Sequence, residues 1–453
     1  MFTLIDGPIS PVTLHLAAFK NEDASLGDHR IMFRCQMVSR KTLLSATALC
    51  ATVATAQVPL ATVRAADPAP KASGVVLIKP YATVTPKEGT LNDFRLKALA
   101  SVDAEHPLTG DPNLQTLSLF GREDLIAATS DDYQPTTCAP AMGVGDARDE
   151  IVKQARKTSL VIINESHERS EHRGFTTELL APLRAEGYSA LAIEALSNPE
   201  PGTPPEYYPS FMRKPSPAQL EDEDGYYLGE AEFGRLGRTA KRLDYSLVPY
   251  EAPHNDQDAK MSPSESIARR EEAQATALAA WIGAHPGVKM IVHVGYHHAT
   301  EVPTAKGDRW MATRLKAKTG IDPLTISQTT CRGGGKVRRL AVLPADEPAG
   351  TFDLVIDHPS ARFARGRPVW RIAAGDMLVS IPAELYPMKG WRVIEARPED
   401  EQTTAVPMDR VAIRPGEDIA LMLPPGRYRL RAIDVQQEAK RETLPGAKDK
   451  VTP

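Results

Sequence analysis

The sequence lacks an excess of charge of either sign, and this limits the partners that the protein can have. Its 453 residues include 54 Lys and Arg against 58 Asp and Glu, which gives a formal net charge of −4. Nucleic acids and anionic membrane surfaces are bound through broad basic surfaces, which this composition does not supply. We therefore exclude nucleic acid as a partner and expect a small-molecule or peptide substrate.

Two common catalytic motifs are also absent. No G-x-S-x-G sequence is present, so a serine nucleophile on a strand-to-helix turn is not indicated. The run Gly333–Gly335 is not followed by the Lys-Ser/Thr pair of a phosphate-binding loop, and we interpret it as a turn. Serine-hydrolase and nucleotide-binding mechanisms are therefore disfavoured.

The apolar run Leu43–Ala56 is too short to cross a bilayer. Arg40 and Lys41 precede it, and it closes with small residues in an A-x-A pattern. A charged n-region and a short apolar segment are typical of a secretory signal peptide, whereas a transmembrane helix needs roughly twenty apolar residues. We predict an exported protein, periplasmic or extracellular, with no transmembrane anchor after signal cleavage; an uncleaved signal anchor is the alternative. Residues 1–36 are polar and mixed, so the true start is predicted to be Met37.

Cysteine is scarce. Leu49 is large where a lipoprotein signal needs a small residue before the cysteine, so Cys50 is not expected to carry a lipid. Removal of the signal leaves Cys138 and Cys331. An oxidising compartment favours a disulfide between them if the fold brings them together. Two separate buried thiols are the alternative.

Apolar runs of strand length alternate with helical patterns after about residue 147. The predicted strands are Leu160–Ile163, Ala190–Ile193, Leu247–Tyr250, Lys289–Val294 and Leu324–Ser327. Such alternation predicts an α/β fold with a mostly parallel sheet and helices on both faces. Short strands separated by Pro and Gly turns follow from about residue 388 and predict a small C-terminal all-β module.

These patterns divide the chain into four parts. Residues 1–66 form the export signal and leader, and residues 67–140 form a Pro/Thr/Asp-rich segment that is expected to be irregular or to wrap the surface. The α/β domain spans 141–387 with an insertion at 197–239, and the β module spans 388–453. The insertion has the composition of a lid or rim, with a plain loop as the alternative.

Four predicted strands end in acidic residues or histidines. These are Glu165 and His167 after the first strand, Glu194 after the second, Glu251, His254 and Asp256 after the third, and His293, His297 and His298 in or after the fourth. Open parallel sheets bind ligands at the carboxyl ends of their strands. Carboxylates and imidazoles brought to one edge repel unless they are protonated, hydrogen-bonded or bridged by a cation. This rim is therefore a candidate site for acid/base or metal chemistry.

One zinc-protease interpretation of this rim fails on spacing. His167 and His172 are five residues apart, about 140° around a helix, whereas the H-E-x-x-H motif needs two histidines at i and i+4 on one face. We interpret His172 and Glu168 as solvated residues at the start of a helix. His293 is interpreted as a hydrogen-bonded core histidine, and His297 as a solvent-facing neighbour of His298.

The order of these motifs resembles the erythromycin-esterase/ChaN-like superfamily, which includes TraB and Tiki proteins. The resemblance covers roughly residues 150–330. The matching positions are Asn164-Glu165-Ser166-His167 for a G-E-x-H motif, Glu194 for a strand-end glutamate, Arg269 or Arg270 for a helix arginine, and Gly295-Tyr296-His297-His298 for a G-x-x-H motif. Asn164 replaces the usual glycine, and its side chain is expected to crowd the approach to the backbone.

The resemblance implies hydrolysis of an ester or amide bond. Glu165 and Glu194 would hold or polarise His167 as the base that activates water, and His298 would stabilise the oxyanion or act as the acid. Arg270 would steady an anionic substrate group. If a divalent cation such as Zn, Mn or Co is present, its expected ligands are Glu165, His167, Glu194 and His298.

Two other functions stay open at this point. A haem- or metal-binding uptake protein of the ChaN type would need an apolar wall, for which the tyrosines of the insertion are candidates: Tyr207, Tyr208, Tyr226 and Tyr227. The third possibility is a catalytically inactive binding scaffold whose β module carries the interaction.

Overall fold

A computed structural model describes residues 74–108, 114–136, 138–200, 202–213, 219–252, 261–304 and 307–436. The predicted signal peptide at Leu43–Ala56, the predicted start at Met37, and His254 and Asp256 lie outside the described residues. Within the described ranges, no helix is long and apolar enough to cross a membrane.

The strands and helices alternate through the middle of the chain. The strands are β1 (Val75–Thr83), β2 (Leu160–Glu165), β3 (Tyr188–Ile193), β4 (Ser246–Val248), β5 (Lys289–Gly295), β6 (Leu324–Arg332), β7 (Arg339–Ala341), β8 (Leu354–His358), β9 (Phe363–Ala364), β10 (Arg367–Pro368), β11 (Met377–Ser380), β12 (Arg392–Pro398), β13 (Asp409–Ile413), β14 (Ala420–Leu423) and β15 (Gly426–Asp434). The α-helices are α1 (Leu91–Ala100), α2 (Leu114–Leu119), α3 (Glu123–Ile126), α4 (Ala147–Ala155), α5 (Ser170–Ala185), α6 (Ser210–Arg213), α7 (Ala231–Arg242), α8 (Pro263–Ala284), α9 (Met311–Thr319) and α10 (Trp370–Ala373).

A seven-stranded sheet in the order β4-β3-β5-β2-β6-β8-β7 carries the rim. Its neighbouring strands are parallel except for the antiparallel pair β7 and β8. Alternate side chains of β2 enter two different hydrophobic clusters. Val161 and Ile163 pack with α4, α5 and α7, whereas Leu160 and Ile162 pack with α8 and α9. The predicted α/β class, a mostly parallel sheet with helices on both faces, is confirmed.

The C-terminal region contains the short strands that the sequence predicts, and the structure shows that most of them pair in antiparallel fashion. Strands β12, β13 and β15 form an antiparallel group, and β11 pairs with β14. The sheet also takes in β1, which pairs in parallel with β15 from Val75 opposite Gly426. Part of the segment that was expected to be irregular is therefore a strand, because its partner lies at the far end of the chain and leaves no local pattern.

The insertion at 197–239 ends as a helix. Helix α7 begins after Glu230, whose carboxylate caps the backbone N–H of Glu232. Residues 219–230, which we call the strap, contain the short 3-10 helices Asp222–Asp224 and Tyr226–Gly229. The Asp222 N–H donates to the carbonyl of Thr404 at 2.8 Å, and Glu221 forms a bridge with Ala405. The strap is thus attached to the loop before β13.

Candidate active site

Glu165 is the most deeply placed acid of the rim. It ends β2 with its side chain 1 % exposed, and Arg173 on α5 holds it from Nε at 2.8 Å. His293 Nε2 lies 2.9 Å from its Oε2, and His167 Nδ1 lies 3.0 Å from its Oε1. Burial alone raises the pKa of Glu165, but Arg173 and His293 outweigh it and hold the pKa well below the ordinary value. Glu165 is therefore an ionised hydrogen-bond acceptor.

His167 is oriented by that acceptor. An ionised carboxylate can only accept, so the proton lies on Nδ1 and the lone pair of the neutral ring lies on Nε2. The ring is stacked on Tyr227 with centroids 4.9 Å apart and meets the edge of Tyr296 at 5.0 Å. Its side chain is 15 % exposed. His167 thus has one nitrogen fixed and the other available for a proton.

Gly295 makes room for the free nitrogen. A Cβ atom added there would lie 2.7 Å from His167 Nε2 and 3.1 Å from Glu194 Oε2, distances too short for carbon. The backbone of Gly295 has a φ of −78°, which any residue can adopt, so the requirement for glycine is steric. His167 Nε2 and Glu194 therefore face the same small space.

Glu194 is held by the backbone and by an arginine. Its Oε2 accepts the N–H of Gly295 at 2.5 Å, and its Oε1 is paired with Arg270 on α8. Arg270 also pairs with Glu251, through Nε at 2.9 Å. Burial raises the pKa of Glu194, but His298 and Arg270 lower it further than burial raises it. The carboxylate is ionised beside the lone pair of His167.

His298 forms a second carboxylate–imidazole pair. Its Nδ1 lies 2.6 Å from Glu271 Oε1, and its Nε2 lies 3.5 Å from Glu194 and 3.1 Å from Arg270 Nη1. Burial lowers the pKa of His298, but Glu271 and Glu194 outweigh burial and raise it. A neutral His298 can accept at Nε2 from Arg270, whereas a protonated one can pair with Glu194.

The residues predicted from the sequence meet at one place. Glu165 and His167 are in contact, Glu194, His298 and Arg270 form a second group of contacts, and Gly295 lies between the two groups at the carboxyl ends of β2, β3 and β5. A cavity of about 680 Å³ opens nearby, and none of these five residues lines it. Its wall includes His297 and Trp310, and the Trp310 ring lies 5.7 Å from that of His298. The cavity has the size of a small-molecule pocket.

Asn164 does not crowd this space. It is fully buried, and its amide donates to the Tyr296 carbonyl at 2.7 Å and to Thr329 at 3.0 Å, while its oxygen accepts the N–H of Gln328 at 2.6 Å. Successive side chains of a strand point to opposite faces, so Asn164 points away from Glu165. Our expectation of obstruction was wrong. Asn164 fixes the backbone of Tyr296, which has a φ of +38° at the turn that presents His298.

Two neighbouring histidines follow the sequence interpretation. His293 is buried and bonds Glu165 and Thr176 Oγ1, the latter at 3.1 Å. His297 is exposed and lies against Trp310 with ring centroids 5.4 Å apart.

His172 and Glu168 contradict the interpretation made from the sequence. His172 is buried rather than solvated, and its Nδ1 accepts the N–H of Ser166 at 2.9 Å. Burial lowers its pKa well below the ordinary value. Glu168 is half-buried and accepts from Ser130 Oγ at 2.5 Å. The start of α5 packs under the N-terminal segment, which the local sequence does not indicate.

Sequence reasoning also missed two residues of the site. Arg173 occupies the face of α5 three positions after Ser170, and Glu271 follows Arg270 on α8; both are 1 % exposed. Arg173 lies eight residues after Glu165, in the first turn of the next helix. From this position an arginine can reach back to the end of the strand, so the spacing was a usable signal in the sequence.

The donor atoms of the rim do not fit a metal ion. Among the described residues, no group of three or more His, Cys, Asp and Glu side chains could hold one. Glu165 and Glu194 are each paired with an arginine, and a cation placed between them would meet that positive charge. We derive no chemical step through a metal.

Three of the four tyrosines that were candidates for a haem wall have different surroundings. Tyr227 is stacked on His167, Tyr226 lies against the guanidinium of Arg95, and Tyr207 is 74 % exposed. These rings either belong to the site and its supports or face solvent. Tyr226 also meets the ring of Tyr227, with ring centroids 5.6 Å apart.

Cys138 and Cys331 form a disulfide. Their Cα atoms are 5.9 Å apart, and the bond links the segment before α4 to the end of β6. Both residues are buried.

Comparisons with known proteins leave the family open. No protein-family model and no curated protein match the sequence. Solved structures with weak similarity include the following three. The type III effector HopBA1 has 17 % identity over 49 % of this chain and 97 % of its own, with a TM-score of 0.31. ChaN of Campylobacter jejuni with cofacial haem has 8 % identity over 46 % and 90 %, with a TM-score of 0.31. RRSP, a MARTX toxin effector domain from Vibrio vulnificus, has 12 % identity over 58 % and 48 %, with a TM-score of 0.32.

TM-scores this low assign neither family nor activity. The similarity to ChaN is too weak to establish membership of its family. The assignment of function therefore depends on the chemistry of the site.

Proposed function

We propose that this protein is an exported hydrolase of ester or amide bonds that uses His167 as a general base. The observation that carries the proposal is the orientation of the His167 ring. Its Nδ1 is bound to the buried, ionised Glu165, and its Nε2 faces the space shared with Glu194. A base held by a carboxylate, with its lone pair directed at a second polar group, is the arrangement that activates water.

Water between His167 Nε2 and Glu194 Oε2 is the proposed nucleophile. His167 takes one proton as the oxygen attacks the substrate carbonyl, and Glu194 orients the same water by accepting its second hydrogen. The imidazolium that forms is stabilised by Glu165, which stays ionised because Arg173 and His293 lower its pKa.

His298 is the proposed acid. Its raised pKa favours the imidazolium, the form that can donate from Nε2 to a leaving oxygen or nitrogen. Glu271 holds Nδ1 and so directs Nε2 to the side of Glu194. The two pairs, Glu165 with His167 and Glu271 with His298, give base and acid separate carboxylates.

Arg270 is assigned to positioning. Its guanidinium is shared between Glu194 and Glu251, so its charge is already balanced by carboxylates of this chain. It fixes Glu194 and opposes protonation of His298. An anionic group of the substrate would have to compete with both glutamates for Arg270. We therefore propose that Arg270 positions Glu194 and does not bind the substrate.

Export is supported by two independent features. The sequence pattern of Leu43–Ala56 is that of a signal peptide. The Cys138–Cys331 disulfide is of the kind that persists in oxidising compartments.

The decisive experiment compares two single variants on a panel of nitrophenyl esters and peptides. We expect His167→Ala to lower turnover by roughly 10²- to 10⁴-fold, the usual contribution of a general base. Gly295→Ala should cause a loss of the same order, because the added methyl group displaces His167 while the backbone and all charges stay unchanged. Thermal melting checks that both variants are folded.

The panel is run with and without a chelator, after metal analysis and a visible absorption spectrum of the purified protein. His285→Ala is the matched control, because this exposed imidazole follows the last turn of α8 and stacks on Trp281, away from the rim. Unchanged turnover in folded His167→Ala would contradict the proposal. Loss of turnover on chelation would transfer the chemistry to a metal, and a Soret band would favour haem uptake.

A further inference from the structure

The C-terminal sheet reaches the rim through the strap. Gly225 is packed so closely on the backbone after Glu194 that an added Cβ would overlap the Ala195 carbonyl oxygen. The N–H of Ser197 donates to the Asp224 carbonyl at 2.8 Å. Tyr227, two residues after Gly225, is stacked on His167 with an interplanar angle of 14°. The strap therefore touches both the base and the loop that follows Glu194.

The other side of the strap is held by buried charge. Asp222 is 3 % exposed and is paired with Arg397 at 2.5 Å and with Arg410 at 2.8 Å, from strands β12 and β13. Glu395 pairs with the same two arginines. Arg410 Nη1 also donates to the carbonyl of Gly229 at 2.6 Å. Two strands of the sheet thus hold both ends of the segment that carries Tyr227.

Arg95 on α1 holds the middle of the strap. Its guanidinium is completely buried and donates to the carbonyls of Asp222, Gly225 and Tyr226 at 2.5–2.7 Å. Three carbonyls on one planar group leave little freedom in the backbone on either side of Tyr227. Burying a guanidinium carries a large desolvation cost, and the three hydrogen bonds to the strap offset it.

We propose that Tyr227 is a positioning residue for His167 and that Asp222, held by Arg397 and Arg410, sets its place, so that the C-terminal sheet is a working part of the site. The flat contact keeps the imidazole in the rotamer that binds Glu165 through Nδ1. An aromatic face also favours the imidazolium formed when the base takes its proton. The inference rests on the proposed function only in calling His167 a base.

The test observes His167 directly, so it does not depend on turnover. Histidines labelled with ¹³C at Cε1 are followed by NMR, and the His167 signal is identified by its loss in His167→Gln. A stacked aromatic ring shifts the resonance of the Hε1 proton, which is bonded to the labelled Cε1, upfield. We expect Tyr227→Phe to leave the signal in place and Tyr227→Leu to move it downfield. Where turnover is measurable, Tyr227→Leu should reduce it by roughly twofold to tenfold, and Tyr227→Phe should restore it.

Two variants test the link to the sheet. Asp222→Asn removes the charge that the arginines hold, and Gly225→Ala displaces the strap without changing any charge. Each should move the His167 signal in the same direction as Tyr227→Leu. Arg427→Gln is the control, because this arginine lies on β15 of the same sheet in an exposed pair with Glu399. If Asp222→Asn does not fold, Gly225→Ala decides.

The outcomes separate the two proposals. An unmoved His167 signal in Tyr227→Leu overturns the role of Tyr227. A wild-type signal in the folded strap variants overturns the link to the sheet. Signals that behave as expected in a protein that hydrolyses nothing would leave this inference standing and remove the proposed function.

Discussion

The rim and the C-terminal sheet both bury charged groups, but they satisfy them differently. In the sheet, Glu395 is fully buried, and its two oxygens are shared among Arg397, Arg410 and Arg431. In the rim, Glu165 meets one arginine and two imidazoles, and each of those imidazoles has a second nitrogen. The sheet cluster is closed to further partners, whereas the rim ends in a nitrogen that can exchange a proton.

This difference separates buried charge that holds structure from buried charge that does chemistry. Arginine stays protonated at every accessible pH, so a carboxylate surrounded by arginines keeps one state. Imidazole titrates near neutral pH, so a carboxylate that holds an imidazole sets the state of a group that can react. The rim uses an arginine at its deepest level and imidazoles toward the opening.

The largest effect on stability should come from the closed cluster. We expect Glu395→Gln to lower the free energy of unfolding by about 3–5 kcal/mol, because Arg397 and Arg410 would stay buried with too little negative charge. Denaturant unfolding measures the change. Glu399→Gln is the control in the same sheet; its partly exposed pair with Arg427 should contribute under about 1 kcal/mol. Equal losses in the two variants would contradict the comparison.

In the rim, we expect the buried pair of Glu165 and Arg173 to stabilise the fold and His167 to serve the chemistry. Glu165→Gln removes the partner of buried Arg173 and should also cost about 3–5 kcal/mol. His167→Gln leaves that ion pair intact and should change stability by under about 1 kcal/mol while turnover is lost. Unfolding curves and rates measured on the same preparations test this division. A large destabilisation in His167→Gln would show that the outer level is structural as well.

The smallest effect concerns pH and Glu230, which lies 3.4 Å from Arg173. Burial raises the pKa of Glu230 from 4.5 to about 7. The folded protein therefore binds more protons than the unfolded chain between these values, and this carboxyl makes the free energy of unfolding fall as pH rises from about 4.5 to about 7. Glu230→Gln should flatten that slope. A slope that stays the same would mean that Glu230 is ionised throughout.

Much of the rim could be predicted from the sequence, because parallel strands carry their own signal. Continuous apolar runs identified β2, β3 and β5, and the residues after them, Glu165, Glu194 and His298, had to meet at one edge. The disulfide partners could be named but not paired, since pairing depends on a distance that only the fold provides.

The supports of the site could not be predicted in the same way. Arg173 and Glu271 lie on helices, where a charge usually faces water, and only the packing of α5 and α8 on the sheet reveals that they face inward. The role of Asp222 depends on arginines almost two hundred residues away, at 397 and 410. No local period or motif records such a contact.

The pairing of β1 with β15 bears on how the molecule is made. A ribosome releases Val75 long before Gly426, and a parallel edge strand cannot find its neighbour until that neighbour exists. β1 therefore stays unpaired until β15 has been synthesised. Only then can the sheet that supports Asp222 form completely. Shortened chains that stop before β15 should therefore leave β1 without a partner and one edge of β12 exposed at the same time.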